Sequence, residues 1–103
     1  MNVRTIDGAL DAVGKLRGVR FDWKKDGKPS LGVIAQEVEK IYPELVSTAP
    51  DGMKAVDYGK LAGVLIESTK ALRAENASFR AENAALKARL DRIEARLDRQ
   101  AAR

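Results

Sequence analysis

The chain has 103 residues with no cysteine and no histidine, which removes disulfides, thiolate metal sites, cysteine nucleophiles and histidine-assisted triads together. Nineteen Lys and Arg against 15 Asp and Glu leave a net charge of +4, a mild excess concentrated near the end in Arg92, Arg96, Arg99 and Arg103. The opening Met1-Asn2-Val3-Arg4-Thr5-Ile6-Asp7 has no apolar stretch of the signal-peptide kind, and the longest apolar run, Leu61 to Ile66, is far too short to span a membrane, so a soluble protein is expected.

Asp7 can cap a short helix whose Leu10, Val13 and Leu16 share one face, with Gly18 to end it. Val19, Phe21 and Trp23 alternate with Arg20, Asp22 and Lys24, the pattern of a half-buried strand. Lys25 to Ser30 reads as a turn built on Asp26-Gly27, and Leu31 to Ile34 as the returning strand, which makes a β-hairpin of residues 19–34. Trp23 belongs in the core or at a subunit interface on this reading. Ala35 to Tyr42 forms a short helix with Val38 and Ile41 inward, stopped by Pro43. Pro50-Asp51-Gly52 turns the chain from apolar Leu45 and Val46 to a return strand at Met53 to Val56, a second small hairpin. Asp57 is the N-cap of a last helix with no proline after it, and Gly59 and Gly63 suggest close packing at its start.

That helix carries a heptad repeat. With Thr69 at a, the a series is Ala62, Thr69, Asn76, Asn83, Leu90 and Leu97, and the d series is Leu65, Leu72, Phe79, Leu86, Ile93 and Gln100. A seven-residue apolar period keeps its stripe facing a partner only when helices supercoil. A stripe on a helix about 54 Å long, at 1.5 Å per residue, cannot be buried by so small a chain alone, so an oligomer is expected. The g-to-e′ pairs Glu75–Arg80, Glu82–Lys87 and Arg89–Glu94 are all opposite in sign, which fits parallel strands. Asn76 and Asn83 at a fix register and are compatible with a dimer. Arg89-Leu90-Asp91-Arg92-Ile93-Glu94 resembles the Arg-apolar-x-x-apolar-Glu motif of short trimeric coils, and Phe79 at d suits a wider core, so three strands are favoured over two. A basic zipper would need a dense basic segment before the heptads, where this chain has apolar Leu61 to Ile66. The arginine-rich end is therefore read as a solvated coil surface, and no nucleic-acid, membrane or small-molecule partner is expected.

The order of Leu16-Arg17-Gly18-Val19-Arg20-Phe21-Asp22-Trp23, Leu31-Gly32-Val33-Ile34-Ala35-Gln36-Glu37-Val38-Glu39, Tyr42-Pro43-Glu44-Leu45-Val46 and Val56-Asp57-Tyr58 resembles the C-terminal intramolecular chaperone domain of phage endosialidase tailspikes and tail fibres, the peptidase S74 family. The resemblance covers about residues 5–75, and Gly32, Ile34, Ala35, Gln36, Glu37, Pro43 and Asp57 carry its signature. It implies a homotrimer that holds the chains of an upstream fibre or spike in register in the host cytoplasm while they fold. It further implies release by self-cleavage with a Ser-Lys pair, and absence from the mature fibre. The Ser-Asp-x-x-x-Lys-like cleavage segment does not occur in these 103 residues, so neither catalytic residue is carried over. Ser68 with Lys70, and Ser30 near Lys28, read as exposed helix and turn residues rather than dyads.

The expected architecture is α+β. A head over residues 1–60, of short helices and two β-hairpins, leads into a helix over residues 61–103 that forms a parallel trimeric coiled coil. The oligomerisation residues are Leu65, Leu72, Asn76, Phe79, Asn83, Leu86, Arg89, Leu90, Ile93, Glu94 and Leu97. No catalytic residue, metal or cofactor is expected in the chain, and Gln36 and Glu37 divide between helix-start satisfaction and subunit contact. The expected role is registration of a β-rich trimer, with an autoproteolytic serine endopeptidase as the alternative and a generic coiled-coil scaffold behind it.

Overall fold

The computed structural model describes residues 1–102, so Arg103 lies outside the described residues. The fold is α+β, with two small antiparallel hairpins and a long C-terminal helix. The elements are α1 (Ala9–Gly14), β1 (Val19–Asp22), β2 (Pro29–Gly32), α2 (Ala35–Ile41), a 3-10 turn (Pro43–Leu45), β3 (Val46–Thr48), β4 (Lys54–Val56) and α3 (Tyr58–Ala101). The chain divides into two compact units, Met1–Ala71 and Leu72–Arg103.

In the first unit, α1 is shorter than its apolar spacing predicts. Asp7 does not cap it; the cap residue is Gly8, at φ 69°, which offers no side chain. The carbonyl of Gly8 accepts from Ala12 N at 3.1 Å, and the left-handed backbone there suits glycine. The helix ends at Gly14 rather than Gly18, because a glycine inside a short helix costs about 1 kcal/mol against alanine.

Both hairpins turn on an Asp-Gly pair used in the same way. In the first, Asp26 Oδ1 accepts from Lys28 N at 3.0 Å, and Gly27 at φ 70° sends its N–H to the Trp23 carbonyl at 2.7 Å. Trp23 N then donates to the Lys28 carbonyl at 2.9 Å, which closes a four-residue loop where the sequence suggests a longer turn from Lys25 to Ser30. The return strand therefore starts at Pro29, two residues earlier than the sequence suggests, with Val19 opposite Gly32 and Asp22 opposite Pro29. A two-residue offset keeps every side chain on its expected face. In the second hairpin, Asp51 Oδ1 accepts from Met53 N at 2.9 Å, and Gly52 at φ 87° donates to Ala49 O at 2.9 Å. Val46 pairs with Val56 and Thr48 with Lys54.

The core of this unit is built on Val38, only 1% exposed, with Ala9, Leu45, Leu61 and Val64. Val13, Leu16, Val33, Tyr42, Val46 and Val56 surround it. Leu61 and Val64 come from the start of α3, so the first turns of the long helix complete the head's interior. Ser68 is also buried there, against the expectation of an exposed helix serine, because its face of α3 continues that of Leu61 and Val64 at helical spacing. Gly63 gives ordinary packing, since an added Cβ would lie 3.9 Å from Ile6 Cδ1.

The second unit is helical through Ala101, and its apolar residues are exposed. Among the described residues no helix is long and apolar enough to cross a membrane.

Candidate functional site

The signature residues gather around the junction of β2, α2 and the start of α3, and most of them have a backbone or packing duty. Gly32 sits on β2 against the hydroxyl end of Tyr58. A Cβ at position 32 would stand 2.7 Å from the Tyr58 hydroxyl and 3.4 Å from Phe21 Cε1. Ile34 is the cap residue of α2 in extended conformation, and its carbonyl accepts from Glu37 N at 3.0 Å and Val38 N at 3.1 Å. Ala35 then begins the helix, and Pro43 opens the 3-10 turn, a position where its missing N–H is not needed. Asp57 caps α3 as expected, its carboxylate accepting from Lys60 N at 3.1 Å. Its own N–H donates to the Leu45 carbonyl at 2.8 Å, which ties the helix start to the head.

Glu37 has a specific partner that the sequence did not announce. Arg17 approaches it as a fork, with Nε at 2.9 Å from Oε1 and the other nitrogen, NH2, at 2.8 Å from Oε2. The bidentate contact holds the Glu37 carboxyl below its ordinary range, first through the Arg17 hydrogen bond. Lys54 on β4 similarly reaches Glu39 of α2 at 2.8 Å, with the Thr48 hydroxyl 3.4 Å away. These two ion pairs join segments 20 and 15 residues apart, and no periodicity in the sequence marks them. Gln36, by contrast, is exposed beside its helix start.

Between the two hairpins lies a groove of about 740 Å³. Phe21, Trp23, Ile34, Met53, Val56 and Tyr58 give it an apolar lining, and Ala35 and Gln36 of the signature block stand on its wall. Trp23 is 54% exposed rather than a core residue; it is held edge-on to Phe21, with ring centroids 5.0 Å apart at 83°. Its position at the mouth of the four-residue loop carries it past the end of the strand pairing.

On α3, Leu65, Leu72, Phe79, Leu86, Leu90, Ile93 and Leu97 are all solvent-exposed in the single chain, with Asn76 and Asn83 on the same heptad seam. A run of large apolar side chains at this spacing is a face without a partner among the described residues. Arg89 and Glu94 form no ion pair with each other among the described residues, as five-residue spacing on one helix predicts. Of the charges on α3, Lys70 and Glu67 do pair, at 3.4 Å. Ser68 is buried, and Lys70 is engaged with Glu67, so these residues do not assemble as a dyad. Ser30 is half-buried on β2 opposite Phe21. Among the described residues, no cluster of acidic side chains could hold a metal ion.

No curated protein matches the chain. The family model Peptidase_S74, chaperone of endosialidase, matches residues 1–47, a span that takes in α1, the first hairpin, α2 and the 3-10 turn. Six of the seven signature residues fall inside it: Gly32, Ile34, Ala35, Gln36, Glu37 and Pro43. That match, over just under half of the chain, supports the resemblance to the Peptidase_S74 family, the chaperone of endosialidase.

Proposed function

We propose that this chain is an intramolecular chaperone module that trimerises through α3 and holds the chains of a β-rich fibre or spike in register while they fold. The observation that carries the reading is the exposed d column, Leu65, Leu72, Phe79, Leu86 and Ile93, which continues without a skip along α3. The three g-to-e′ pairs of opposite sign support parallel strands, and the arginine motif from Arg89 to Glu94 supports three of them. The match to a chaperone family supports the purpose.

The mechanism is one of effective concentration. Three chains joined through their helices meet their other segments at roughly millimolar local concentration. Long-range β pairing, which is slow because loop-closure entropy must be paid first, then begins with its strands aligned. Asn76 and Asn83 add a penalty for any slipped register, since a displaced layer leaves amides against apolar side chains. In this reading release by self-cleavage uses residues outside these 103. Light scattering or sedimentation equilibrium on the purified chain tests the proposal: three chains per particle is the expected result, and a stable monomer or dimer overturns it.

A further inference from the structure

The groove between the hairpins has a lining of definable chemistry. Three charged residues line it, Arg17, Arg20 and Lys54, and no carboxylate does. Arg17 is engaged by Glu37 and Lys54 by Glu39, while Arg20 makes no ion pair among the described residues. The groove is therefore apolar along its lining, with one uncompensated positive charge, Arg20, on its wall. It is also bordered by β1 and β4, each of which belongs to a two-stranded sheet and is paired on one side only. Each thus keeps a row of backbone N–H and C=O groups that an added strand can pair with.

We propose that this groove receives an extended acidic β-strand of the client polypeptide, which adds to the free edge of β1 or β4. Alternate side chains of the strand pack on Trp23, Met53 and Tyr58, and carboxylates on its other face meet Arg20. The dimensions agree. Four or five extended residues cover roughly 15 Å at about 3.3 Å each, the length of a strand such as β1, Val19–Asp22. The exposure of Trp23, Met53 and Tyr58 is then the cost of keeping a docking face open. A single-stranded nucleic acid would also stack on aromatic rings. It needs several unpaired cations along its phosphates, whereas Arg20 alone of the three lining cations is unpaired.

The inference rests on the chaperone reading but not on the number of strands in the coil. The test is fluorescence anisotropy of labelled octapeptides titrated with the full chain. One peptide alternates valine with glutamate, a second alternates valine with lysine, and a third is the glutamate peptide with alternate backbone nitrogens methylated. The expected result is that the glutamate peptide binds at least tenfold more tightly than either of the others. Arg20→Glu and Met53→Glu, with circular dichroism unchanged, should each weaken it at least tenfold. Binding indifferent to charge, indifferent to methylation or unaffected by both substitutions overturns the proposal, as does displacement of the peptide by oligothymidine. Absence of binding in a particle of three chains overturns the groove and leaves registration standing. Peptide binding by a chain that stays monomeric does the reverse.

Discussion

Replacing Leu86 with alanine is the sharpest perturbation of the helix seam. Leu86 is 55% exposed in the single chain, so about half of its side-chain surface is still available to be covered by neighbours. Complete burial of a leucine is worth about 1.5–3 kcal/mol, which makes the half that remains worth roughly 1–1.5 kcal/mol per chain. A symmetric trimer contains three copies in one layer, and the loss is then about 3–4.5 kcal/mol per particle before any cavity cost is added. At about 1.4 kcal/mol per tenfold, the trimer dissociation constant rises by two to three orders of magnitude. Because that constant carries units of concentration squared, the midpoint of dissociation on dilution moves upward by roughly 10- to 30-fold. Sedimentation velocity over a dilution series reads this shift directly. Arg92→Ala is the matched control, since it lies at c, off the seam, and alanine is at least as good a helix former. If Leu86→Ala and Arg92→Ala dissociate at the same concentration, the d column is not a subunit interface and the registration mechanism falls with it.

Two other measurements bear on separate parts of the molecule. Arg89→Ala should lower the melting temperature of the assembled helix by more than Arg99→Ala does, because Arg89 lies at g beside the seam and Arg99 at c; equal melting temperatures would remove the arginine motif as a reason for three strands. The Arg17–Glu37 pair predicts an acid sensitivity of the head: the Glu37 carboxyl is held below its ordinary range, so its contribution is complete above the unfolded-state value near 4.3 and disappears as pH falls through the lower folded value. Thermal melts of wild type and Glu37→Gln should therefore converge as pH is lowered from about 5 toward 2. A constant gap between the two across that interval would show that the pair stabilises by packing alone.

The legible parts of this fold are those written as short-range pattern. The heptads of α3, the cap at Asp57, the stop at Pro43 and the alternation of Val19, Phe21 and Arg20 all follow from spacing along a few turns or strand residues. Errors arose where two local signals competed. Asp7 is a good capping residue, but Gly8 follows it and takes the left-handed backbone at the helix start. Lys25 to Ser30 reads as one turn, but the Asp26 carboxylate accepts from Lys28 N and Trp23 N donates to the Lys28 carbonyl, which leaves Pro29 and Ser30 to the strand. The candidate site was half legible. Gly32 and Glu37 stand out as signature residues, but their reasons are Tyr58 and Arg17, each about 20 residues or more away and joined only by the tertiary fold. The groove is invisible in sequence for the same cause, since its walls come from two hairpins and a helix start separated along the chain.

The placement of Leu61 and Val64 in the head's interior has a kinetic consequence. A helix is expensive to begin and cheap to lengthen, with a nucleation penalty of about a thousandfold. Here the opening turn is prepaid: Asp57 holds the Lys60 amide, the Leu45 carbonyl holds Asp57, and two leading side chains are already packed. The head therefore acts as a seed crystal for the rod that follows, and helix growth runs from it toward the C-terminus. On the proposed registration mechanism, chains whose heads have folded present phased seams to one another, while unfolded chains present none. On that mechanism, assembly admits a subunit only after its head has folded.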